Sequence, residues 1–124
     1  MPELFPTGFP NVAVVQQTGT PGVPGTVLTT SYKTRVSTNT TTTPITSTVR
    51  LRQITINVTG APSAWVVTIQ DKGATPFVVF SQTFSAATTA PIVVNLGDGI
   101  TMTGGIDIIT TGTTPGVANV ALNY

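Results

Sequence analysis

The side chains able to do acid–base chemistry are few. Glu3, Asp71, Asp98 and Asp107 are the only carboxylates, and the chain has neither histidine nor cysteine. Without imidazole or thiol, the commonest general base, the common nucleophilic dyads and most transition-metal ligands are missing. Glycoside hydrolysis would need two of the four carboxylates to face one cleft. Asp71 in Asp71-Lys72-Gly73 and Asp98 in Gly97-Asp98-Gly99 read instead as turn residues that bond nearby backbone. Asp107, between isoleucines, reads as a strand residue directed to solvent. A calcium loop would show a run of alternating aspartates, and none is present. The glycine pairs lack the following lysine and helix of a phosphate loop. The expectation is a non-enzymatic protein with no catalytic residue, no metal site and no cofactor.

Binding chemistry is limited by composition. Lysine and arginine number 5 and Asp and Glu 4, for a net charge of +1 and a charged fraction of 7%, against about 25% in ordinary domains. Lys33, Arg35, Arg50, Arg52 and Lys72 are scattered, which disfavours nucleic acid, whose affinity needs clustered phosphate partners. No apolar run approaches the ~20 residues of a membrane helix, and the start of the chain does not read as a secretory signal. Threonine fills 27 of the 124 positions. It forms strands and wets a sheet face without charge. A surface so poor in charge has little colloidal repulsion, which suits a protein packed against neighbours.

The elements that must position these residues are strands. Arg50 to Phe84 reads as three in succession, a central meander joined by two short turns. Trp65, Val67 and Ile69 alternate with Val66, Thr68 and Gln70, the period of a half-buried strand. Phe77 to Phe84 is apolar on both faces, as in a central strand or half of an interface. Upstream, Val49 and Leu51 share one phase and Ile54, Ile56 and Val58 the other, so a β-bulge near Gln53 is expected to reset the parity. Trp65, Phe77, Phe80 and Phe84 are expected in the core, leaving Tyr32 and Tyr124 freest for surface contacts.

On either side the pattern repeats. Val27 to Val36 predicts a first strand. Ser37 to Thr48, interrupted by Pro44, predicts an exposed loop or a sheet edge. Ile92 to Leu96 and Ile100 to Met102 flank Gly97-Asp98-Gly99, read as a tight hairpin turn. Gly104-Gly105 turns again into a short strand at Ile106 to Ile109. Thr111 to Gly116 reads as a loop, and Val117 to Tyr124 closes the chain with Ala118, Val120, Leu122 and Tyr124 on one face. Asn39 and Asn57 each begin a glycosylation tripeptide, a use not expected without a secretory signal. Turn signals every 8–12 residues predict an all-β fold, a β-sandwich or jelly roll of about eight strands.

Residues 1–26 differ. Pro2, Pro6, Pro10, Pro21 and Pro24 break helix and ladder alike, whereas Leu4, Phe5, Phe9, Val12 and Val14 are too apolar for a solvated linker. This stretch reads as an extended N-terminal arm that docks on a neighbour or along its own sandwich, with a short strand at Asn11 to Gln17. Residues 27–124 form the sandwich domain.

LRQITINVTGAPSAWVVTIQDKG, IVVNLGDGI and GIDIITTGTTPGVANVALNY, together covering most of Leu51 to Tyr124, resemble small virion proteins of tailed bacteriophages, most of all capsid decoration (cement) proteins. The resemblance implies a β-sandwich on the capsid exterior that bridges subunits of the major capsid protein. It also implies an arm around Leu4 to Val15 as the bridging element, and association with copies of itself, commonly as a trimer. The same strand-and-turn grammar occurs in virion fibre and tail modules, so a carbohydrate-binding or fibre module presenting Tyr32, Trp65 or Tyr124 is the alternative.

Overall fold

The computed structural model describes residues 30–124. They form β1 (Ser31–Val36), β2 (Thr41–Ile45), β3 (Val49–Thr59), β4 (Ser63–Asp71), β5 (Val78–Phe84), β6 (Ile92–Met102), β7 (Ile106–Thr114) and β8 (Val117–Asn123). Two antiparallel four-stranded sheets result: sheet A in the order β1-β8-β3-β6 and sheet B in the order β2-β7-β4-β5. Strand β1 pairs with β8, β2 with β7, β3 with β6 and β4 with β5. The chain is thus one long hairpin, folded back at the β4–β5 turn and rolled so that its strands are shared between two sheets. That is the eight-stranded jelly roll. The arm and its residues Leu4, Phe5, Phe9, Val12 and Val14 lie outside the described residues, as do residues 27–29 of the expected first strand.

The inward faces follow the alternation. Trp65, Val67 and Ile69 from β4 meet Ile54, Ile56 and Val58 from β3 and Ala118, Val120 and Leu122 from β8, all buried in one core. Burying each large side chain contributes about 1.5–3 kcal/mol. Trp65 is fully buried, and its indole N–H donates to Asn39 Oδ1 at 2.9 Å. The Asn39 amide in turn donates to the Gly112 carbonyl at 2.8 Å. Gly112 holds φ at +147°, and a Cβ there would lie 2.1 Å from the Ala64 carbonyl oxygen. Only glycine lets β7 approach β4 this closely beside the tryptophan.

The parity break in β3 is real. Leu51 and Ile54 are both buried, and the register with β6 shifts between Leu51 and Gln53. Between the Leu51–Ile100 and Gln53–Asn95 pairs β3 advances two residues and β6 five. The extra length of β6 is Gly97-Asp98-Gly99, which therefore is no hairpin turn. Both flanks of it pair with the same strand, β3, and the Asp98 carbonyl accepts from Arg50 Nε and Arg52 Nη1, each at 2.7 Å.

Three other expectations change, and the Ser37 to Thr48 tract takes the second of its two alternatives, the sheet edge. The meander is divided: β3 belongs to sheet A and β4 to sheet B, so only the β4–β5 connection is a hairpin. Ser37 to Thr48 contains β2, an edge strand, with Pro44 where the register with β7 shifts, and both an edge and an irregularity tolerate a missing N–H. The strand expected to end at Ile109 runs on to Thr114, because Thr110 to Thr114 continue to pair with β4. Finally, β5 is an edge and not a central strand, and Phe77 just before it is 55% exposed.

Candidate interaction surface

The three carboxylates among the described residues do not converge. Asp71 lies opposite Ile106 on the inner face of sheet B, and Asp107 lies opposite Gln70 on its outer face. Asp98 belongs to the other sheet, in the β6 excursion. Asp71 is buried and accepts the Phe77 N–H, closing the β4–β5 turn as a turn aspartate should. Asp107 is half-buried rather than solvent-directed and accepts from Thr43 Oγ1 at 2.6 Å, tying β7 to β2. Among the described residues no group of three His, Cys, Asp or Glu side chains is placed to hold a metal ion.

The aromatic set divides. Trp65 and Phe84 are buried, Phe80 is half-buried against the core, and Phe77 is exposed. Trp65 therefore cannot stack on a sugar. Tyr32 is 38% exposed beside the core residue Leu122, and Tyr124 is half-buried against the core. Both glycosylation asparagines have engaged side chains: Asn39 with Trp65 and Gly112, and Asn57 Oδ1 with Thr88 Oγ1 at 2.8 Å.

Two surface features stand out. The first is the β5 edge. Val78 is 48% exposed next to Phe77, and Val93 on β6, at the corresponding edge of sheet A, is 56% exposed. Strand β5 has neither charge nor proline. The other edges carry obstacles to pairing: Lys33 and Arg35 on β1, Pro44 on β2, and the Gly97-Asp98-Gly99 excursion on β6.

The second is a trough of about 410 Å³ on the outer face of sheet A. Lys33 and Arg35 line one side and Pro91 the other, over a floor that includes Thr55, Asn119 and Ala121. The register explains the grouping: Lys33 lies opposite Ala121, Arg35 opposite Asn119, and Thr55 again opposite Ala121. Asn119 Nδ2 donates to the Asn57 carbonyl at 3.3 Å, and Asn123 Nδ2 to Gln53 Oε1 at 3.0 Å, which fixes this face. In sequence Lys33 and Arg35 look scattered, because the strand that completes their surface comes from the far end of the chain. Comparison of the chain with protein-family models, curated proteins and solved structures finds no match.

Proposed function

We propose that this protein is a structural virion protein that binds the outside of a phage capsid and stabilises it by bridging subunits of the major capsid protein. The observation that carries this reading is the β5 edge: uncharged, proline-free and opening on exposed Phe77 and Val78, on a chain rich in threonine and poor in charge. Such an edge offers backbone donors and acceptors to a further strand, and apolar area whose burial contributes about 25 cal/mol per Å². The apolar arm, with Leu4, Phe5 and Phe9, adds a second attachment, so that one copy spans more than one subunit. The jelly roll recurs in viral capsid domains, although it also serves lectins and other proteins, and the resemblance of Leu51 to Tyr124 to decoration proteins points the same way.

The test is co-sedimentation of the purified protein with mature capsids of the same source that lack it. Saturable binding at a fixed ratio to the shell subunit is expected, and deletion of residues 1–15 is expected to abolish it while the sandwich stays folded. A protein that remains in the supernatant at every concentration removes the decoration reading.

The trough favours a second reading, a carbohydrate-binding or fibre module. It offers amide and cationic groups to a glycan but no aromatic platform. Heat on titration with glycans of the host surface, lost on Asn119→Ala, would shift the weight to it.

A further inference from the structure

We propose that the trough on the outer face of sheet A is a docking socket for Glu3-Leu4-Phe5 of a second copy of this chain. Docking between copies would take up Leu4 and Phe5 and leave Phe9, Val12 and Val14 of the arm for a shell; it needs no shell to occur.

The chemistry of the socket comes first. Lys33 and Arg35 sit together on one side of it, Ala121 and Pro91 supply apolar surface, and among the described residues no Asp or Glu borders it. Open to solvent, with a volume of about 410 Å³, it has room for a few side chains laid across the sheet. It therefore suits a short segment bearing one carboxylate beside large apolar side chains.

The sequence contains one such segment. Glu3 is the only carboxylate before Asp71, and Leu4 and Phe5 follow it directly. The other three carboxylates belong to the sandwich itself, and two of them are engaged, Asp71 with the Phe77 N–H and Asp107 with Thr43. Glu3 facing Lys33 and Arg35 gives charge complementarity that fixes orientation, with Phe5 as the buried anchor.

The described chain begins at Thr30, beyond the end of the socket. The Thr30 N–H meets the Tyr124 carbonyl and Ser31 pairs with Asn123, whereas Lys33 and Arg35 pair farther along β8 with Ala121 and Asn119. Thr30 therefore lies past the Tyr124 end of the β1–β8 pair, on the side away from Lys33 and Arg35. At ~3.4 Å per residue the preceding segment has ample reach to another copy. Copies linked in this way would bind any repetitive surface with added avidity.

The test uses the full chain, with no capsid present. Sedimentation velocity is expected to show concentration-dependent association. Glu3→Lys and Arg35→Glu should each weaken it ~5-fold or more, as a lost and then reversed partly exposed ion pair does. Phe5→Ala should weaken it more than ~10-fold, and the double variant Glu3→Lys/Arg35→Glu should regain most of the loss from either single change. Because the natural chain has no cysteine, a mixture of Pro6→Cys and Ala121→Cys single variants gives a clean second measurement. Oxidation should yield the mixed disulfide dimer, and Glu3→Lys placed on the Pro6→Cys chain should reduce its yield. A chain that stays monomeric overturns the proposal, as does association indifferent to both charge reversals. So does a doubly substituted Pro6→Cys/Ala121→Cys chain that closes only within itself.

Discussion

Strands β2 and β5 close the same sheet from opposite sides, and they meet the hazard of an open edge differently. β2 is threonine-rich, broken by Pro44 at a register shift, and held to β7 by side-chain hydrogen bonds ahead of the proline. Thr43 donates to Asp107, and Thr110 Oγ1 donates to the Thr38 carbonyl at 2.6 Å and accepts the Thr40 N–H at 3.0 Å. β5 is laced to β4 more sparingly, by Thr68 Oγ1 and Ser81 Oγ at 3.1 Å and by Asp71 at the turn. It is attached by its inward residues and by one bulge, where Ile69 pairs with Phe80 and Gln70 with Val78, leaving Val79 as the extra residue. One edge is built to end a sheet, and the other is built as if the sheet could continue.

The largest expected effect follows from how β5 is attached. Phe84 is 4% exposed and lies opposite Trp65, whereas Ile45 at the end of β2 is 5% exposed and opposite Ile106. Phe84→Ala should cost about 3–5 kcal/mol, and Ile45→Ala about 2–4 kcal/mol, since the phenyl ring leaves the larger cavity. Urea unfolding followed by circular dichroism measures both. A Phe84→Ala cost below that of Ile45→Ala would mean that β5 is a loosely held flap, and the contrast between the edges would fail.

Next come the polar clips. Asp71 is a buried carboxylate that accepts the Phe77 N–H, and the Asp71 N–H donates to the Phe77 carbonyl at 3.1 Å. Asp71→Ala leaves that amide without its side-chain partner, at a cost of about 1–3 kcal/mol, and Asp71→Asn, which retains an acceptor oxygen, should cost less. Thr110→Val performs the same operation on β2, for about 1–2 kcal/mol. Amide exchange separates the two sites: Asp71→Ala should speed exchange at Phe77 and leave Thr40 unchanged, and Thr110→Val should do the reverse. Exchange rising at both edges in either variant would show that they open as one unit.

What the sequence disclosed and what it hid divide along a physical line. Parity within a strand is local, so the inward faces of β3, β4 and β8 and the phase reset near Gln53 were legible in the spacing of Leu51, Ile54, Trp65 and Leu122. Pairing is not local. Gly97-Asp98-Gly99 has the chemistry of a hairpin turn, and only the presence of β3 beside both flanks makes it an excursion within β6. The threonine tract could serve as loop or edge until Asp107 and Thr110, 64 and 72 residues away from Thr43 and Thr38, supplied its partners. The trough was invisible for the same reason: Lys33 and Arg35 acquire Asn119 and Ala121 only when the last strand returns beside the first. Arrangement into a jelly roll rather than another sandwich is a property of those long-range pairings, and alternation alone is equally consistent with both.

The smallest energetic effects give the sharpest comparison of the two edges. Val78→Lys and Pro44→Thr change exposed or edge positions and should each move stability by no more than ~0.5 kcal/mol. Their effects on association should nevertheless oppose each other. Lysine on an edge is the device natural sheets use against further pairing, so Val78→Lys should lower light scattering of concentrated protein and weaken any strand-mediated binding to a shell. Pro44→Thr restores a backbone N–H and should leave scattering unchanged or raise it. Since Val78 lies on the edge of sheet B and the socket on the face of sheet A, Val78→Lys should also leave the Glu3-dependent association of copies intact. If it instead abolished that association, β5 would be the true contact between copies, and the trough would lose its assigned occupant.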